Sequence, residues 1–279
     1  MTTIRHTLHD ATRQIRPVSD SASLDAQLLL AEVLGKDRAY LLAHGDDIIS
    51  ADQLAQFAAV VQRRAAGEPI AYILGRRAFY DRELLVAPGV LIPRPETELL
   101  LEAALEFTAD KPDCTAADIG TGSGALAVTF AAHRPQAHVY AVDISPAALD
   151  IARKNAAQQQ VHVTFLDGDL LQPLIERGIQ VDVLMANLPY IARDALPNLA
   201  VSQYEPSLAL DGGPDGLDLV RRLLRDLRQV CEPGALALLE IGADQGEAAL
   251  SLAHTLVQPR QAAILKDYAG HDRILRVEC

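Results

Sequence analysis

The first seventy residues carry a helical rhythm and little else. Leu24, Leu28, Leu29, Ala31 and Val33 recur at helical spacing, and Gly35 follows them as a stop signal. Ser50-Ala51-Asp52-Gln53 has the form of a capping box, after which Leu54, Phe57, Ala58 and Val61 fall on one face. Gly67-Glu68-Pro69 breaks the rhythm. From Tyr72 to Pro93 the texture changes: Tyr72, Leu74, Phe79, Leu84, Val86, Val90 and Ile92 lie among Gly75, Pro88 and Gly89, which predicts a β-hairpin linker. A new helix is expected to start in Arg94-Pro95-Glu96-Thr97-Glu98 and to run through Leu99, Leu100, Ala103, Ala104 and Phe107.

From Cys114 onward, short apolar runs alternate with helical stretches. That alternation predicts a parallel sheet covered on both faces. Strands are expected at Ala116–Ile119, Ala137–Val142, Val161–Leu166, Val181–Ala186 and Ala235–Ile241. Helices are expected at Ala125–His133, after Ser145-Pro146, and along Asp215–Val230. Two further runs, Ala262–Leu265 and Ile274–Val277, are joined by only Asp267-Tyr268-Ala269-Gly270-His271-Asp272 and their flanks. That is too short for a helical crossover, so these last two strands should be antiparallel. The expected organisation is a helical domain over residues 1–71, a β-hairpin linker over 72–93 and an α/β domain over 94–279.

Chemistry concentrates at two strand ends. Asp118-Ile119-Gly120-Thr121-Gly122-Ser123-Gly124 closes one strand and opens a helix, and such a turn lets backbone N–H groups approach a ligand. Asp143 stands nineteen residues after Gly124, at the tip of the next strand, where an acid can grip ribose hydroxyls. The pair points to an adenosine-containing cofactor without saying which one. Asn187-Leu188-Pro189-Tyr190 follows the fourth strand. It offers a side-chain carbonyl, a backbone carbonyl held extended by the following proline, and an aromatic face. Two acceptors and a ring suit a planar NH2 group, either a carboxamide or the exocyclic amine of a base.

Charge narrows the partners. The net charge of −12 argues against broad nucleic-acid binding, which depends on neutralising phosphates. A local exception is residues 60–95, where Arg63, Arg64, Arg76, Arg77, Arg82 and Arg94 face three acids. Cys114, Cys231 and Cys279 form no framework, and the start of the chain lacks the apolar core of a signal peptide, so a cytoplasmic protein is expected. No apolar run is long enough for a membrane span. His6 and His9 attract no other ligand type and predict no metal site.

The Asp118–Gly124 turn, Asp143, the Asn187 clamp and the closing hairpin together resemble a class I S-adenosylmethionine-dependent methyltransferase, a Rossmann-like α/β fold with an antiparallel last strand. Gly67–Gly75, Ile92–Glu98, Glu205–Leu210, Glu240-Ile241-Gly242, Gln245-Gly246 and Asp267–Arg273 narrow the resemblance to the HemK/PrmC family, from about residue 20 to the end. The Ile92–Glu98 block is its most specific element. The resemblance implies methylation of the glutamine of a Gly-Gly-Gln motif in class I peptide chain release factors. It places S-adenosyl-L-methionine against Gly120, Thr121, Gly122, Ser123, Gly124, Asp143, Asp169, Leu170 and Asn187. It assigns the substrate amide to Asn187, Leu188, Pro189 and Tyr190, with Asn187, Leu188 and Tyr190 in the catalytic role, and gives the helical domain and linker the recognition of the protein substrate. Neither a membrane nor stable nucleic-acid binding is expected. The family usually has proline where Leu188 stands and often an aromatic residue where Leu170 stands. An amino-methyltransferase acting on a nucleic acid base or another protein glutamine shares the clamp. A nicotinamide oxidoreductase shares only the glycine turn, and a non-catalytic adaptor would retain the fold.

Overall fold

The computed structural model describes residues 2–279, residues 200 and 201 by their backbone only; Met1, the first residue of the expected helical domain, lies outside them. The chain divides into two compact units, residues 1–76 and 77–279.

The first unit is helical: α1 (Ile4–Ile15), α2 (Ala22–Leu34), α3 (Arg38–Ala43), α4 (Ala51–Ala65) and α5 (Ile70–Leu74). Local signals set the ends. Gly35 closes α2 in the left-handed region at φ 62°, and Ser50 with Gln53 forms the capping box of α4. Ile15, Leu29, Leu30, Leu41 and Phe57 build its core. One charge is buried there. Asp25 accepts from Arg64 Nε at 2.8 Å and from the Ser19 hydroxyl at 2.8 Å, so its desolvation is offset by directed donors.

A two-stranded hairpin, β1 (Arg76–Phe79) and β2 (Arg82–Leu85), opens at the division, and all of it after Arg76 belongs to the second unit. Tyr72–Leu74, expected in the linker, instead completes α5. A 3-10 turn (Pro95–Thr97) then leads into α6 (Glu98–Phe107). The strands that follow are β3 (Thr115–Ile119), β4 (His138–Asp143), β5 (Thr164–Asp167), β6 (Val181–Ala186), β7 (Cys231–Glu240), β8 (Gln261–Lys266) and β9 (Asp272–Glu278). Between them lie α7 (Ala125–His133), α8 (Pro146–Gln158), α9 (Gln172–Ile175), α10 (Asp218–Asp226) and α11 (Gly246–Leu256). The seven strands run in the order β5-β4-β3-β6-β7-β9-β8, with β9 antiparallel to both neighbours and the remaining pairs parallel.

Period-two alternation divides each central strand between two cores. Leu184 and Ala186 face one layer with Leu223 and Leu224 of α10, whereas Val183 and Met185 face the other with Phe130 and Leu101. One strand is shorter than expected. β5 begins at Thr164 because the Val161 N–H bonds the Ala156 carbonyl and closes α8, with Gln160 at φ 57°. The order reverses between β3 and β6, and at such a switch point the strand ends leave a crevice for a ligand.

Candidate functional site

A cavity of about 450 Å³ opens at that crevice, within the range of roughly 300–1,000 Å³ typical of small-molecule sites. Its walls include Gly120 through Ser123 after β3, Asp143 at the end of β4, Gly168 through Leu170 after β5, and Asn187 through Pro189 after β6. Four consecutive strand ends thus bring together most of the residues singled out in the sequence. Gly124 and Tyr190 are not part of the wall.

The glycine turn is held from several sides. Gly120 and Thr121 donate to the Val142 carbonyl at 2.8 and 3.0 Å. Gly120 has φ +73°, and a Cβ there would lie 2.9 Å from Leu188 Cδ2; at Gly124, φ +82°, it would lie 3.1 Å from Ala152 Cβ. Only glycine lets the turn press against the clamp on one side and α8 on the other. Asn155, fully buried on α8, donates to the Ser123 and Leu85 carbonyls and accepts from the Leu85 N–H at 2.7 Å. It ties the glycine turn to β2.

Two acids face the turn differently. Asp143 accepts from Gly122 N through one oxygen and from Ser145 N through the other, each at 2.8 Å. Burial raises its carboxyl above the usual range against those two donors. Asp118 is 1% exposed, and its Oδ2 accepts from the Thr121 hydroxyl at 2.6 Å and from Ala127 N at 3.1 Å. Its Oδ1 is buried without a partner among the described residues, and burial pushes this carboxyl up to about 7. Farther along the wall, Asp169 pairs with Arg222, and Leu170 holds the left-handed conformation at φ 49°.

The clamp is built from distant segments. Asn187 Nδ2 donates to Thr97 Oγ1 at 2.8 Å, and Thr97 donates to Glu240 Oε2 at 2.6 Å. The Tyr190 hydroxyl donates to Glu240 Oε1 at 3.2 Å, and burial raises the phenol well above its ordinary range. Gln245 donates to the Tyr190 carbonyl at 2.9 Å, while Ile191 donates to the Leu210 carbonyl and accepts from the Gly212 N–H in a short parallel bridge with Asp211. The Leu188 side chain is buried at 4% exposure, and neither its N–H nor its carbonyl has a partner among the described residues. Arg94 Nη2 reaches both oxygens of buried Glu205 at 2.8 and 2.7 Å, anchoring the loop whose Pro206, Leu208 and Ala209 complete the wall. The Ile92–Glu98 block therefore holds two parts of the site, through Arg94 and Thr97.

Sequence reading left Thr97, Glu240, Asp118, Asn155 and Arg222 without roles. The first three stood inside segments already marked as distinctive, which was the available signal. Nothing in the sequence marked Asn155 or Arg222.

Comparison with known proteins follows the same division. Residues 6–75 match the PrmC N-terminal domain, and residues 116–204 match a methyltransferase domain. A release factor glutamine methyltransferase of Moorella thermoacetica is 44% identical over 97% of this chain and 96% of its own. That of Xylella fastidiosa strain 9a5c is 41% identical, covering 92% and 93%. That of Vibrio cholerae is 38% identical, covering 98% and 95%. Among solved structures, the catalytic domain of hMettl16 gives a TM-score of 0.55 at 14% identity over 70% of this chain and 74% of that one. The Thermus thermophilus 16S rRNA N2 G1207 methyltransferase gives 0.53 at 18% identity over 73% and 49%. These structural likenesses establish the Rossmann-like methyltransferase fold. Identity along nearly the full length establishes more: the chain is an enzyme and belongs to the release factor glutamine methyltransferase family.

Proposed function

We propose that this enzyme transfers a methyl group from S-adenosylmethionine to the side-chain nitrogen of the glutamine in a Gly-Gly-Gln segment of class I peptide chain release factors. The observation that carries the reading is the polarity of the clamp. Asn187 spends its nitrogen on Thr97, so its Oδ1 is left as an acceptor beside the unpaired Leu188 carbonyl. Two acceptors match the two hydrogens of a primary amide.

The cavity residues fit the cofactor. The orphaned Asp118 Oδ1 suits an ammonium group, because a buried acceptor without a partner is costly until a donor reaches it. Asp143 keeps a further lone pair on each oxygen for ribose hydroxyls. Gly120–Gly124 would flank the methionine portion, and Asp169 with Leu170 the adenine. When bound, the cofactor supplies a methyl on a positively charged sulfur that departs as a neutral thioether.

An amide nitrogen is a poor nucleophile because its lone pair is delocalised. Asn187 Oδ1 and the Leu188 carbonyl hold both hydrogens, aim the nitrogen, and stabilise the positive charge it gains as the bond to carbon forms. An N-protonated amide is acidic enough to lose its extra proton to water, so the clamp needs no base. The Tyr190 ring, fixed by its hydroxyl on Glu240, is the proposed neighbour of the substrate amide. The helical unit is assigned to recognition of the protein substrate.

The test is transfer of labelled methyl to a release factor, its Gln-substituted variant, RNA and DNA. Label confined to the Gly-Gly-Gln glutamine is expected. Label on nucleic acid, with none on the release factor, would move the reading to a base methyltransferase.

A further inference from the structure

Glu240 ends β7, is 1% exposed, and uses both oxygens: one for Thr97 and one for Tyr190. Thr97, 4% exposed, stands between this carboxylate and Asn187. A hydroxyl has one proton to give. With that proton on Glu240, the threonine oxygen can only accept from Asn187. The nitrogen of Asn187 must then face Thr97, and its carbonyl oxygen must face away. The two orientations of an Asn amide are nearly identical in shape, so the network, not packing, decides between them.

We propose that Glu240, acting through Thr97, is a positioning device that fixes the polarity of the Asn187 amide, and so selects a substrate nitrogen carrying two hydrogens. The inference rests on the reading of the site as an amide N-methylation centre. An ionised carboxylate only accepts. A carboxamide at position 240 keeps only one acceptor for the two hydroxyls; the Tyr190 phenol, a stronger donor and weaker acceptor than an aliphatic hydroxyl, takes it, which leaves the NH2 facing Thr97, whose own proton is then released toward Asn187. The asparagine would turn its NH2 to the cavity, where it meets the NH2 of the substrate. Reversal of a single hydrogen-bond direction converts the clamp from attracting to repelling.

Three full-length variants test this: Thr97→Val, Thr97→Ser and Glu240→Gln. Two quantities are read. The first is the single-turnover rate of methyl transfer to a Gly-Gly-Gln release factor, beside the affinity for S-adenosylhomocysteine. The second is water exchange of the Asn187 side-chain amide protons in the free protein, assigned by ¹⁵N NMR. Thr97→Val and Glu240→Gln should each lower the transfer rate about tenfold or more, the scale set by removing the partner that orients a functional ligand, with cofactor affinity unchanged. Thr97→Ser restores the hydroxyl and should recover most of the rate. Asn187 amide exchange should be slow in the native protein and in Thr97→Ser, and faster in Glu240→Gln. If Glu240→Gln transfers methyl at the native rate, the relay is wrong. If the native protein methylates no Gly-Gly-Gln protein, the functional reading fails separately, and equal amide exchange in the native protein and Glu240→Gln then overturns the relay on its own. Should Thr97→Val fail to fold, Glu240→Gln, which keeps the shape and replaces one acceptor oxygen by a donor, decides by the same two readouts.

Discussion

Asp118 has one oxygen bonded and one buried without a partner, and that asymmetry sets a pH dependence. Burial raises its carboxyl from 3.8 to about 7, so the folded protein keeps a proton that the unfolded chain releases. The sign follows: stability from this group is complete below the unfolded value and falls as pH rises toward about 7. Asp118→Asn should flatten the fall in melting temperature across that window. An ammonium placed at Oδ1 would expel the proton, so cofactor binding below neutrality should release protons, measurable by calorimetry in two buffers of different ionisation heat. No proton release would remove Asp118 from the proposed cofactor site. Asp143→Ala should weaken cofactor binding by roughly 1.5–3 kcal/mol for the lost ribose contacts. It also frees Gly122, so a loss above that range would report the loosened turn. Asp143 and Asn187 were legible because strand-end acids and Asn-x-Pro turns have local signatures. Leu188 was only half legible. Its unpaired N–H means that proline could replace it without losing a hydrogen bond, but its side chain packs on Gly120, which no local pattern reveals. Leu188→Pro should therefore retain transfer within a few fold while losing about 1–3 kcal/mol of stability from trimmed buried volume, read by denaturant unfolding. Inactivity of a folded Leu188→Pro protein would contradict the backbone-carbonyl role.

At the scale of elements, caps and periodicity announced α2, α4 and α8, and the lengths of the intervening runs announced the parallel strands and the reversed β9. What stayed hidden is how elements far apart in sequence lock one another. The bond from Thr97 to Glu240 spans 143 positions and that from Asn187 to Thr97 spans 90, and spacing along a chain carries no information about such pairs. Val161–Val163 looked like strand because β-branched residues favour it, yet the closing turn of α8 captured the Val161 N–H first. Asn155 gives the clearest case of a helix residue serving a loop. It satisfies both backbone groups of Leu85 as well as the Ser123 carbonyl. Asn155→Ala should lower stability by about 2 kcal/mol or more, because buried backbone groups lose their partners. It should also weaken cofactor binding, since Ser123 belongs to the cavity wall. Unchanged unfolding and unchanged affinity together would show that the tie from β2 to the glycine turn has no consequence.

Over the whole molecule, the chain forms two units with separate hydrophobic cores, and the matched PrmC N-terminal domain ends at residue 75, beside the division after Arg76. The change of rhythm in the sequence suggested a helical domain over residues 1–71, a linker over 72–93 and an α/β domain from 94, whereas the compact units divide after Arg76. Residues 77–279 alone should bind S-adenosylhomocysteine yet methylate an intact release factor poorly, if the helical unit recognises the protein. Full efficiency from the truncated chain would remove that role. Among the described residues no helix is long and apolar enough to cross a membrane. The net charge of −12 argues against broad attraction to phosphate and shifts the expected recognition of substrate to specific contacts. All of this depends on the clamp orienting a substrate amide for methyl transfer. The direct measurement is single-turnover methylation of a Gly-Gly-Gln release factor at saturating cofactor by the native enzyme and by Asn187→Ala. A loss of at least ~100-fold is expected, comparable to removing one oxyanion-hole donor. Near-native turnover by a folded Asn187→Ala protein would contradict the account.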